Sequence, residues 1–112
     1  MDKEQLIRAN VDYENGKNRF AGNEALYEKY LLKFKDDPHF DGAIEAFLAK
    51  DYEKLLKETH ALKGVAGTLG IVTVYQVSSD IVSAIRAEEL DKVSGLYEKL
   101  VSSYEDIIKI LR

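Results

Sequence analysis

The run from His60 to Gly70 reads H-A-L-K-G-V-A-G-T-L-G and places an imidazole, an ammonium group and two glycines within a few residues of one another. A histidine can act as a nucleophile near neutral pH. A lysine can stabilise developing negative charge. A glycine leaves backbone uncovered, so that a bulky partner can bring a reacting atom within about 3 Å of a ring nitrogen. These groups need a helix to hold them on one side. Leu55, Thr59, Leu62, Ala66 and Leu69 recur at spacings of three and four between Asp51 and Leu69, the signature of an amphipathic helix with a buried stripe. With His60 at zero and a turn of about 100° per residue, that stripe falls on the far side, between about −100° and 180°. Lys63 then lies near −60°, Leu56 near −40°, Gly67 near −20° and Gly64 near +40°, all beside the histidine (angles approximate).

Lys63 has Thr59, His60, Ala66 and Gly67 at the positions that could neutralise it within the helix, and none is acidic. Its charge is left free. Lys54, by contrast, has Glu58 four residues later, and Lys57 has Glu53 four residues earlier, the pattern of a solvated face. Gly64 and Gly67 each cost about 1 kcal/mol relative to alanine inside a helix. Two explanations remain open: clearance for a partner, or close packing of a neighbouring helix. Leu56 is expected as an exposed apolar contact at the rim.

Other chemistries find little support. A di-iron bundle needs glutamate three residues before histidine, whereas Lys57 precedes His60 and Asp36 precedes His39. With two histidines and no cysteine, zinc and disulfides are equally unsupported. His39, beside Pro38 at a helix start, reads as a solvated loop residue. No phosphate-binding glycine loop or kinase-type Asp/Asn set is present, so the chain is not expected to cleave ATP by itself.

The chain of 112 residues, 46% hydrophobic, suffices for one domain spanning 1–112 with its own core. The net charge of −4, with both signs interspersed, offers no basic footprint for nucleic acid. M-D-K-E-Q-L-I-R lacks the apolar stretch of a signal peptide, and no segment approaches the ~20 apolar residues of a membrane span. A cytoplasmic protein without membrane insertion is the expectation.

Asp2 is expected to cap a short helix carrying Leu6 and Ile7, followed by turns and one brief helical piece from Val11 to Gly22. A helix from Asn23 to Asp36 would bury Leu26, Tyr27, Tyr30, Leu31 and Phe34. Asp37 and Pro38 signal another, bearing Phe40, Ile44, Phe47 and Leu48. Gly70 suits the left-handed position that closes the His60 helix. The segment I-V-T-V-Y-Q from Ile71 to Gln76 favours a strand by propensity, yet Val74, Val77, Ile81 and Ile85 continue one helical face to about Glu88. A lone strand would leave its backbone unpaired, so a helix is predicted. Asp91 is expected to cap the last helix, with Val93, Leu96, Tyr97, Leu100, Val101, Tyr104, Ile107, Ile108 and Leu111 as its stripe. Short connections then imply an all-α, up-and-down antiparallel four-helix bundle with short extra helices at the N-terminus.

The motif H-A-L-K-G-V-A-G-T-L-G resembles that of the histidine phosphotransfer (HPt) domains of bacterial multistep phosphorelays: the His, the following Leu-Lys-Gly, the small residue at Ala66 and the apolar-Gly pair at Leu69 and Gly70 all match. V-D-Y-E-N-G-K-N-R-F-A-G-N-E-A-L-Y and L-L-K-F extend the likeness into the N-terminal part. Thr68 stands where the family often has Asn, and Ile71 where Ala is common.

The resemblance implies a phosphoryl group passing between an aspartyl phosphate of a response-regulator receiver domain and His60, the nucleophile, with Lys63 balancing charge on the phosphoryl oxygens. Leu56, Lys57, Gly64 and Gly67 are the expected docking and access surface. A hybrid histidine kinase is a further candidate partner. No cofactor is expected on this chain, magnesium being held by the receiver, and a monomer is expected. The competing readings are a pseudo-phosphotransfer module that binds without accepting phosphate, which an intact His60 and Lys63 disfavour, and a helical scaffold, which leaves the site glycines unexplained.

Overall fold

Short polar side chains set where most of the helices begin. In the computed structural model, which describes residues 1–112, the carboxylates or amide of Asp2, Asp12, Asn23, Asp37 and Asp51 accept hydrogen bonds from backbone N–H groups two or three residues on, at 2.8–3.3 Å. Each satisfies an otherwise orphaned donor of a first turn. They open α1 (Lys3–Arg8), α2 (Tyr13–Asn18), α3 (Glu24–Lys33), α4 (Pro38–Leu48) and α5 (Tyr52–Leu69). A 3-10 turn, Phe34–Asp36, extends α3 toward Pro38.

α6 (Val72–Arg86) and α7 (Val93–Leu111) start without a side-chain cap. Asp91, the expected cap of α7, lies instead within the 3-10 turn Leu90–Lys92. That turn feeds directly into α7, with Lys92 already in helical conformation. No extended residue is left whose side chain could fold back on the first turn. Ile71 to Gln76 is helical from Val72 onward, as packing predicts over propensity. The β preference survives only at Ile71, which forms one isolated antiparallel bridge with Val11.

α4 to α7 form the antiparallel bundle. Phe40 stacks on Tyr104 at 3.7 Å and Phe47 on Tyr97 at 3.8 Å between ring centroids, a reversed order that requires α4 and α7 to run in opposite directions. Between them α5 contributes Leu55, Leu62, Ala66 and Leu69, and α6 contributes Val74, Val77 and Ile81. Ala43 and Ala46 are the fully buried residues of α4. Leu48, expected on the same face, is 74% exposed, because it stands about 200° around the helix from Ala46. Leu26 and Tyr30 are likewise exposed, leaving Tyr27, Leu31 and Phe34 to anchor the α3 segment.

The N-terminal segment clasps the far end of α5. The Tyr27 hydroxyl donates to the Leu69 carbonyl at 2.6 Å, and the Asp12 N–H donates to the Gly70 carbonyl at 2.7 Å. Burial, reinforced by the negative charge of Asp12, pushes the Tyr27 phenol from 10.0 up to about 12, and burial pushes Tyr104 and Tyr13 in the same direction. A folded-state pKa above the unfolded value favours the folded state fully below pH 10.0, and the advantage is lost as pH rises toward about 12. The denaturant midpoint is therefore expected to fall across that alkaline window. A midpoint constant throughout it would contradict the burial of these phenols.

Candidate functional site

α5 turns its reactive face outward because its other face is committed to the core. Thr59 is fully buried, and its hydroxyl donates to the Leu55 carbonyl at 2.8 Å, so a polar residue joins the stripe without an orphaned group. His60, the next residue, is exposed. The histidine hydrogen bond and ion pair in the protein belong to His39, which leaves the His60 ring unpartnered. One turn on, the Lys63 ammonium also lacks a carboxylate. Its nitrogen lies over the face of the Tyr75 ring, 5.7 Å from the centroid.

These groups border an open groove of about 680 Å³, lined among others by Arg19, His60, Lys63, Gly64, Gly67 and Tyr75. A second groove, of about 690 Å³, lies against the same helix and is walled by Phe20, Tyr30 and Val65; Gly64 and Thr68 border both. Gly64 is thus a bare ridge between two concavities.

The two glycines have different reasons to be there. A Cβ on Gly64 would meet nothing within 4 Å, which agrees with clearance. A Cβ on Gly67 would stand 3.1 Å from Cδ2 and 3.4 Å from Cε2 of Tyr75. There the neighbouring helix packs closely, so clearance alone does not account for Gly67.

Leu56, half-buried, and Lys57, exposed and paired with Glu53 at 3.7 Å, do not line either groove. Lys54 pairs with Glu45 of α4 at 3.3 Å instead of with Glu58. Glu58 is taken by His39, whose Nδ1 lies 3.1 Å from its Oε2. His39 is therefore the second residue of α4 and a helix-to-helix contact, in place of the solvated loop residue its sequence suggests. The antiparallel register of α4 and α5 puts an acid and a base opposite each other that spacing along one helix cannot reveal.

Two lining residues, Arg19 and Tyr75, are not among the sequence-predicted site residues. Arg19 donates from its guanidinium to the carbonyls of Gly67 at 2.8 Å and Thr68 at 3.3 Å, satisfying the open end of α5 and bringing positive charge to the groove. It is 48 residues from Gly67, so no local pattern signals it. Tyr75 was within reach: α5 and α6 fold back about Ile71, and Gly67 and Tyr75 each stand four residues from it. No group of three or more His, Cys, Asp or Glu side chains is placed to hold a metal ion. No helix is long and apolar enough to cross a membrane.

Compared with known proteins, the chain is similar to the phosphorelay intermediate protein rdeA of Dictyostelium discoideum, with 28% identity over 100 residues, 89% of this chain and 38% of the relative. The chain thus spans less than half the length of that curated relative. The likeness agrees with the resemblance read from the His60 motif. Dictyostelium discoideum is not a bacterium, so the comparison gives no support to the bacterial setting the motif suggested. No family model matches the chain, and no solved structure matches it.

Proposed function

We propose that this chain, which resembles the histidine phosphotransfer domains, is a phosphorelay intermediate that carries a phosphoryl group on His60. The observation that carries this reading is an exposed, unpartnered imidazole beside an ammonium group that no carboxylate neutralises, next to a helix position, Gly64, with open space around it. A lone pair of a neutral His60 ring nitrogen attacks phosphorus opposite the aspartyl oxygen of a receiver domain. The N–P bond forms as the P–O bond breaks, and the aspartate carboxylate leaves with the electron pair. The ring gains positive charge as the N–P bond forms, and release of the proton on the other ring nitrogen to solvent, to which His60 is exposed, relieves it. Lys63 stabilises the equatorial phosphoryl oxygens. The same steps in reverse pass the group to a second receiver.

On this reading the protein is a carrier and does not itself consume ATP. Its partners are response-regulator receivers and, upstream, a hybrid histidine kinase. Magnesium belongs to the acidic site of the receiver, and the carrier works as a cytoplasmic monomer. The deciding experiment is incubation with a receiver phosphorylated by a labelled small phosphodonor. Acid-labile, alkali-stable label on this chain supports the carrier; binding without label indicates a pseudo-phosphotransfer module, and neither indicates a scaffold.

Gly64→Ala separates carrier from scaffold in one variant. With nothing within 4 Å of the added methyl group, alanine is expected to stabilise the isolated protein by up to about 1 kcal/mol through helix propensity. Transfer is expected to slow, since the methyl group occupies space needed by the receiver and the moving phosphoryl group. Denaturation and transfer rate measured together check this. A destabilised variant with normal transfer refutes the assignment of Gly64 as open access.

A further inference from the structure

We infer that Tyr75 is a positioning residue for Lys63 and that Gly67 is a glycine so that the Tyr75 ring can reach that place. The inference rests on His60 being the phosphoryl-bearing residue. Lys63 ends a flexible four-carbon stem, and on an exposed face it would sweep a wide volume unless something restrained it. A carboxylate would restrain it and also cancel the charge that transfer requires. The face of an aromatic ring attracts the ammonium without cancelling its charge, and Tyr75 presents such a face at 5.7 Å.

The ring sits closely against α5 where the helix is bare at Gly67. Its edge atoms lie 3.1 and 3.4 Å from where a Cβ would stand, the nearer one tight enough that the ring would have to shift by a few tenths of an ångström to admit a methyl group. A helical glycine is unfavourable relative to alanine, and the approach of Tyr75 is the local gain that offsets it. Tyr75 is 39% exposed, so it is poorly placed to serve mainly as a core residue. Its hydroxyl makes no hydrogen bond within the protein, which assigns the role to the ring. The weakness of the contact is functional: Lys63 rests near His60 and is released to phosphoryl oxygens when the receiver docks.

The experiment is a double-mutant cycle on the full chain, reading the rate of transfer from a phosphorylated receiver and the NMR shift of the Lys63 ε-methylene in the free protein. Tyr75→Leu is expected to slow transfer about two- to fivefold, the range a surface cation–π contact spans, and to remove an upfield ring-current shift from Lys63. Tyr75→Phe is expected to retain both properties. In a Lys63→Ala background, Tyr75→Leu is expected to have no further effect. Gly67→Ala is expected to displace the ring and reproduce the Tyr75→Leu rate, whereas a pure clearance role would make its effect independent of residue 75. Equal slowing by Tyr75→Leu with and without Lys63, or a Lys63 shift that ignores the ring, overturns the inference. A wild-type protein that takes no label overturns the function on which it rests, a result distinct from labelled wild type with an inert Tyr75.

Discussion

His60→Gln is expected to abolish acceptance of the phosphoryl group while leaving the bundle intact. Glutamine keeps a polar, helix-compatible side chain but has no ring nitrogen with a free lone pair, so the bond-forming atom is gone and no neighbouring group replaces it. The fold should barely notice, since His60 is exposed and its side chain makes no hydrogen bond; substitutions of that kind usually shift stability by less than about 0.5 kcal/mol. The His39→Gln variant is the control. His39 is engaged with Glu58 at the α4–α5 contact, 3.1 Å from its carboxylate, and its loss should leave labelling in place. Label retained by His60→Gln would remove this residue from the mechanism, and a large fall in its denaturation midpoint would show that the imidazole has a structural role.

Gly70→Ala carries the largest expected cost to stability. Gly70 closes α5 at φ +76°, where an L side chain is strained, and its hydrogen position faces the backbone of the N-terminal segment. A Cβ there would stand 2.5 Å from the Asp12 carbonyl oxygen and 3.2 Å from its carbon. Backbone cannot swing aside as a side-chain tip can. The left-handed penalty and the overpacking together should cost about 2 to 5 kcal/mol, a large part of the stability of a domain this size. Gly22→Ala isolates the two contributions: Gly22 has φ +75° with nothing within 4 Å, so it incurs the conformational cost alone. The difference between the two variants in chemical denaturation measures the clasp of the N-terminal segment on α5. A Gly70→Ala protein no less stable than Gly22→Ala would show that this clasp is loose in solution.

These outcomes depend on features of unequal legibility. The caps at Asp2, Asn23 and Asp37 are visible in sequence because an N-cap is a local matter: the acceptor and the N–H it meets are two or three residues apart. The same local logic fails at Asp91, where a 3-10 turn carries the chain into α7 in helical conformation and leaves nothing for the aspartate to cap. Leu48 fails for another reason. Its apolar character says it prefers burial, but the two alanines at 43 and 46 let α4 approach its neighbours on a face that Leu48 does not share.

The sequence by itself determined which side of α5 carries His60, Lys63 and Gly64, because a helix of fixed period converts the spacing of Leu55, Thr59, Leu62, Ala66 and Leu69 into a direction. It also determined that α5 ends at Gly70, since few residues tolerate the left-handed closing conformation. Only the tertiary structure decided what stands opposite those residues. Register between antiparallel helices brings Tyr75 onto Gly67 and Lys63, and pairs Glu58 with His39 and Lys54 with Glu45. Chain reversal through the N-terminal turns brings Arg19 to Gly67 from 48 residues away, and Asp12 to Gly70 from farther still. Periodicity fixes the angle of a side chain about its own axis and carries no information on the partner across a contact, because that partner is set by the combined packing of every helix in the bundle.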